Sequence, residues 1–186
     1  MSPTHALPTF RRRRPSTLLL VLGLALSLVA PTLVTTPASA RLAPQAAHIL
    51  CYAGGFSEPP GPGRPVALTW SHIGSRSNGS YTYRYWMVQE VSGSTLYYRN
   101  SYVAKCSGDS LVSTTEITPT DGFGTAACTS TVDRYPTSSD AERFAGQRTS
   151  WERPFLTTRT FRYWHREWLS VSTLQWVYGS SYAVRC

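Results

Sequence analysis

Three histidines stand beyond the first forty residues, His48, His72 and His165, together with all ten acidic residues. These are the types from which a general acid–base centre or a carboxylate pair is built. Their spacing argues against either. Glu90 and Glu167 lie on corresponding stretches but one position out of register, so they point to opposite faces. His165 stands where the earlier stretch has Met87. There is no H-E-x-x-H, no G-x-S-x-G and no glycine-rich phosphate loop. No C-x-x-C and no paired histidines occur, so a zinc site is not expected. The residues point away from an enzyme and call for no metal or cofactor.

The unusual chemistry is aromatic. After Ala40 there are 22 Phe, Trp and Tyr in 146 residues, with thirteen arginines and one lysine, Lys105, dispersed among them. Aromatic rings and arginine dominate the energetics of protein interfaces. Arg84 and Trp86, like Arg162 and Trp164, are i,i+2 neighbours on a strand, spaced for a guanidinium to stack on an indole. Both faces of each strand carry rings, whereas a two-layer domain has one inner face. Rings among Tyr98, Trp86, Trp164, Trp168 and Trp176 are therefore expected outward, with Arg84 and Arg162, as a partner-binding surface. Tyr83, Tyr85, Phe161 and Tyr163 are read as core.

The elements that must position these residues occur twice. Arg84-Tyr85-Trp86, Ser94-Thr95-Leu96 and Ser101 to Cys106 recur as Arg162-Tyr163-Trp164, Ser172-Thr173-Leu174 and Ser181 to Cys186. The offset is 78 for the first two blocks and 80 for the last; Cys51 and Cys128 are 77 apart. Such a repeat sets architecture before local patterning does. Four cysteines allow three pairings. The repeat selects Cys51–Cys106 and Cys128–Cys186, each tying a unit's start to its end.

The chain begins as an export signal does. Arg11–Arg14 form a basic segment, Leu18 to Val29 an apolar run, and Ala38-Ser39-Ala40 a cleavage pattern. Residues 1–40 are thus expected to be removed, with secretion and disulfide formation to follow. Loss of the four leader arginines leaves 14 basic against 10 acidic residues, a net charge of +4. With no Lys/Arg run, nucleic acid is a poor partner. No later run is long and apolar enough to span a membrane.

Residues 41–47 follow as a flexible arm in which Arg41 and Leu42 are candidate partner contacts. The first β-repeat is expected over 48–106, a linker over 107–124 with a short strand at Val112 to Ile117, and the second repeat over 125–186. Within these, Ile49 to Ala53 reads as a strand carrying Cys51. Ser80–Val91 alternates, with Tyr81, Tyr83, Tyr85 and Met87 on one face and Thr82, Arg84, Trp86 and Val88 on the other. Asn78-Gly79 and Ser92-Gly93 read as turns, and Leu96, Tyr98 and Tyr102 as sharing a face of the returning strand. Ser139 to Gly146 carries the signals of a short helix. Trp176 is matched to Tyr98. The fold class is all-β: two tandem homologous antiparallel domains, each closed by one disulfide, either separate or merged into one body.

An exported chain of this size, with a short arm and two disulfide-stapled β-repeats, resembles the small adaptor subunit of the umbrella toxin particles of actinobacteria. The resemblance implies a non-enzymatic bridge in an antibacterial complex, joining a lectin-bearing subunit to a stalk. From the residues, the function expected is a secreted adaptor that meets one or two extracellular proteins through its arm and aromatic faces. The alternatives are a polysaccharide or cell-wall binding module and a secreted enzyme inhibitor.

Overall fold

Alternation sorts the side chains of β3 (Tyr81–Ser92) as period-two patterning requires. Tyr83, Tyr85 and Met87 enter one buried cluster, while Trp86 and Val88 enter another on the opposite face. The sequence is in this sense buried on both sides, which is why both faces carry rings. A computed structural model describes residues 49–52 and 54–186. The leader over 1–40 and the arm over 41–47, with Arg41 and Leu42, lie outside the described residues.

The first half is an antiparallel run: β1 (Gly55–Glu58), β2 (Leu68–Asn78), β3, β4 (Thr95–Ser107) and β5 (Ser110–Ile117). The second is β7 (Arg134–Thr137), β8 (Asp140–Glu152), β9 (Thr157–Ser170) and β10 (Gln175–Arg185), joined by the parallel strand β6 (Thr120–Asp121). A parallel bridge between Tyr97 and Trp151 links β4 to β8. The protein is therefore all-β, and one sheet spans every strand. Both expected disulfides form, Cys51–Cys106 and Cys128–Cys186.

The central core takes residues from both halves. Tyr83, Tyr85, Met87 and Val103 pack with Ala145, Phe161, Tyr163 and Ala183. Tyr83 stacks on Tyr178 at 4.0 Å, and Tyr98 on Phe161 at 4.2 Å. Each buried ring contributes roughly 1.5–3 kcal/mol by area, with about 0.5–1.5 more per pair. The hydroxyls are satisfied across the seam: Tyr85 bonds Ser181 at 2.8 Å and Tyr163 bonds Ser101 at 2.7 Å. Backbone meets backbone where β2 and β8 bulge. A Cβ on Gly74 would lie 1.9 Å from the Ala145 carbonyl oxygen, and one on Gly146 2.6 Å from that of Ile73. Only glycine permits this approach.

The outer face of each half is covered by a cysteine-bearing helical turn. In the first, Leu50 and Cys51 sit over Trp86, whose indole donates to the Leu50 carbonyl at 3.2 Å. In the second, the short helix Ala126–Thr129 does the same: Trp164 donates to the Ala127 carbonyl at 3.3 Å. Residues 49–52 are thus helical, not the strand expected. An apolar run that short has no period to read, and the disulfide decides its shape.

Four further expectations are corrected. Ser139 to Gly146 is not a helix: Asp140 onward is β8, paired along its length with β9. The glycine that looked like a helix stop is a bulge, with φ +142, and sheet pairing outweighs weak helix signals. Tyr98 and Tyr102 do not share a face. The register shifts so that Arg99 is left between the Val88–Asn100 and Gln89–Tyr98 pairs, turning Tyr98 into the central core and Tyr102 onto the outer face. Tyr98 corresponds to Tyr178, not Trp176, because both hydroxyls reach matching serines, Ser101 and Ser181. Lastly, the two extra residues lie in a turn. Ser92 pairs with Thr95 around two residues, whereas Ser170 pairs with Gln175 around four. The Ser172-Thr173-Leu174 match is therefore not a match in space.

Candidate functional site

Most of the expected docking surface is interior. Trp86 and Trp164 are fully buried, because the helical turns pinned by the disulfides lie on them. Arg162 is buried, donating to the Cys128 and Ser130 carbonyls, and Arg84 donates to that of Cys51 at 2.5 Å. These arginines satisfy the free carbonyl ends of the covering turns. They are structural, and so is Tyr98 in its stack. Arg84 does lie over Trp86, 5.7 Å from the ring centroid, but Arg162 lies over Phe144, and Trp164 receives Arg134 at 4.5 Å. Of the rings expected outward, Trp168 is 46 % exposed, and Trp176 is half-buried beside Tyr135.

Large apolar side chains are exposed in the linker and before β7, at Phe123 and Val132, and in pairs at two tips of the second half. The β8–β9 hairpin outruns its counterpart: β2 and β3 close at Asn78–Tyr81, while β8 and β9 pair out to Glu152–Thr157. Beyond that pair, Phe155 is 76 % and Leu156 58 % exposed. At the β9–β10 turn, Val171 is 90 % and Leu174 78 % exposed. Leu156 and Leu174 are the two non-glycine residues with positive φ among the described residues, at 50° and 53°. A left-handed leucine costs roughly 1–2 kcal/mol. In the first half the corresponding turns use Gly79 and Gly93.

A second feature is a cleft of about 400 Å3 at the end of β2, lined by Ser75, Arg76, Ser77, Asn78, Gly79, Arg143, Glu167 and Trp176. Glu167 is buried at its base, accepting from the Arg143 guanidinium and, at 2.9 Å, from the Asn78 amide. Asn78 gives a second bond to the Trp176 carbonyl at 3.0 Å. Asp133 bridges Arg143 at 3.2 Å and Arg76 at 3.4 Å. Behind the carboxylate lies His165, fully buried, with Nδ1 2.8 Å from the Tyr85 hydroxyl. Its Nε2 faces Glu167 at 3.4 Å without hydrogen-bond geometry.

Burial drives the electrostatics. Desolvation lowers the His165 pKa to about 4, against a smaller upward pull from Glu167, so the ring is neutral near neutral pH. A neutral ring accepts the Tyr85 proton at Nδ1 and directs Nε2–H towards the carboxylate. Desolvation pushes the Tyr85 and Tyr163 hydroxyls far above their usual range, and Tyr83 up to about 12. Hydrogen bonding to Glu167 raises the Arg143 pKa. His165 is closed off from solvent on every side, so it holds Glu167 and Tyr85 in place and meets no substrate in this conformation. Among the described residues no group of His, Cys, Asp and Glu is arranged to hold a metal ion, and no helix is long and apolar enough to cross a membrane.

Compared with protein-family models, curated proteins and solved structures, the chain matches none. Sequence reasoning missed the tips and the cleft. The signal for the first was an inserted Trp151-Glu152-Arg153-Pro154-Phe155-Leu156, a turn region without glycine or asparagine. For the second it was His165 and Glu167 standing where the first half has Met87 and Gln89.

Proposed function

We propose that the protein is a secreted, non-enzymatic interaction module that bridges two extracellular proteins. One observation carries the reading: large apolar side chains are exposed at the two tips of the second half, each with a leucine held in the left-handed region. Strain and exposure together are costly unless a partner covers the residues. The tips flank opposite ends of β9, whose 14 residues at about 3.3 Å each set them roughly 40 Å apart. A molecule with one apolar tip at each end suits an adaptor better than a single-partner inhibitor.

Secretion is supported by two disulfides, which persist in oxidising compartments, and by the leader pattern. The arm, with Arg41 and Leu42, supplies a further contact in this reading. The chain arose by copying one stapled antiparallel unit, a history supported by matched contacts such as Trp86–Leu50 and Trp164–Ala127. Its resemblance to the umbrella-particle adaptor makes an antibacterial toxin complex the specific setting.

The test is capture from culture fluid of the secreting cell. Wild-type protein should retain two proteins in stoichiometric amounts. A Phe155→Ser, Leu156→Gly variant should lose one, and a Val171→Ser, Leu174→Gly variant the other, with melting temperatures no lower than wild type. Equal capture by all three proteins would remove the tips from the mechanism.

A further inference from the structure

The two halves place different chemistry at matching positions around their shared seam. Where the second half has Glu167 on β9, the first has Gln89 on β3; where it has His165, the first has Met87. Gln89 is held by the Ser150 hydroxyl at 2.9 Å, the Ser71 hydroxyl at 3.4 Å and the Arg148 guanidinium, which donates to its amide oxygen at 3.1 Å. Glu167 is held by Asn78 and Arg143. Buried ions gain less than they lose in desolvation unless fully paired, and neutral residues of similar volume serve packing as well or better. The matching end of the seam closes with Met87, Gln89, Ser71 and Ser150 around a single guanidinium, that of Arg148. Packing therefore does not require the carboxylate or the histidine of the second half.

These charged groups surround the end of the seam where this cleft opens. Arg76 and Arg143 balance Asp133 and Glu167 there, and His165 adds no charge near neutral pH. A site with zero net charge favours neither an anion nor a cation. It presents guanidinium donors and a carboxylate acceptor, with Trp176 in one wall. Its volume of about 400 Å3 falls in the range of small-molecule sites, roughly 300–1,000 Å3. Glu167 is fixed by the Asn78 amide and Arg143, so its acceptor atoms are oriented before anything binds.

We propose that this cleft binds a neutral saccharide ring, with adjacent hydroxyls bridging Glu167 and the arginine pair and one C–H face against Trp176. Charge-assisted hydrogen bonds suit vicinal hydroxyls, which donate and accept at neighbouring atoms. The aromatic wall takes the apolar face that such a ring also has. The site is distinct from the two tips and does not depend on their having partners.

The experiment titrates the disulfide-bonded, isotope-labelled protein with methyl β-glucoside, methyl β-galactoside, methyl α-mannoside and N-acetylglucosamine. Sodium acetate and tetramethylammonium chloride serve as charged probes. At least one saccharide should shift the Trp176 indole N–H and Asn78 side-chain amide resonances saturably, and neither ion should. Trp176→Leu, which keeps apolar bulk but removes the ring, should weaken binding by about tenfold or more, read on the Asn78 amide, at an unchanged melting temperature. Absence of saturable shifts with all four saccharides would overturn the proposal, as would undiminished binding by a folded Trp176→Leu protein. Equal saturable shifts with acetate would also overturn it, by making the cleft an anion site.

Discussion

The two halves of this molecule agree at the centre of their seam and diverge at its ends and on their outer faces. Across the seam, Tyr85 with Ser181 and Tyr163 with Ser101 make the same bond from opposite sides. On the outer faces, Phe56 stacks on Trp70 and Trp70 on Tyr102 in the first half. The second half puts Arg134 and Glu142 at the positions of Phe56 and Trp70, and Arg166 at that of Val88. There Arg134 also reaches the Tyr182 hydroxyl at 2.8 Å, and Arg166 bonds Glu142 at 2.7 Å. An apolar cover and a charged one thus hold equivalent tryptophans. The lesson is about constraint. Mutual burial fixes a face, because any change on one side must be met on the other, while covers, turns and clefts are free to acquire new roles.

Removing a staple should have the largest effect on this comparison. Each disulfide closes 55 or 58 residues, worth about 4 kcal/mol in the chain-entropy model. Replacing either pair with serine should cost about that much, measured by denaturant unfolding. Fluorescence and circular dichroism should still report one transition, because the core is shared. Two separated transitions would mean that each half folds by itself. Next comes the β2–β8 crossing. Gly74→Ala and Gly146→Ala each push a Cβ against a carbonyl of the other half, and each should cost about 3 kcal/mol. A tolerated alanine at either position would show that the halves do not touch there.

His165 sharpens the chemical contrast. Its folded pKa is about 4 against 6.5 for the unfolded chain. The unfolded state therefore binds more protons between those values, so stability is greatest above pH 6.5 and falls as pH drops towards 4. The slope is up to about 1.4 kcal/mol per pH unit. Arg76 and Arg143 work in the same direction and Glu167 against it. His165→Met, which copies Met87, should remove that component in urea titrations at a series of pH values. A variant with the wild-type slope would place the pH dependence elsewhere. The smallest effect is expected at the tips. Leu156→Gly and Leu174→Gly relieve left-handed backbone, and each should raise stability by about 1 kcal/mol. A loss of stability at either position would mean that its leucine packs onto the protein itself.

Much of the fold was legible in the chain. Alternation at Tyr81–Val91 located β3 and its two faces, the glycine turns at Gly79 and Gly93 were read correctly, and the repeat selected the disulfides. The errors have a common physical source. Rings on two faces imply one inner and one outer face in the sequence, because four-residue helical covers leave no periodic trace. Trp86, Trp164, Arg84 and Arg162 were therefore expected at a surface that the disulfides close. Parity along β4 was lost at Arg99, since a bulge is one residue of pairing geometry with no side-chain signature. The cleft was illegible because Asn78, Asp133, Arg143 and Glu167 come from separate segments that meet only when β2 crosses β8.

The paired tyrosine–serine bonds have one more consequence. Residue i of one half meets residue j of the other, and j meets i in return, which is the pattern of an isologous dimer interface. A free-standing unit built like either half would display Tyr83 and Tyr85, or Phe161 and Tyr163, to water and would have to find a second copy. Tethering two such units through β5 and β6 makes that encounter intramolecular, with an effective concentration in the millimolar range. The assembled state then survives any dilution.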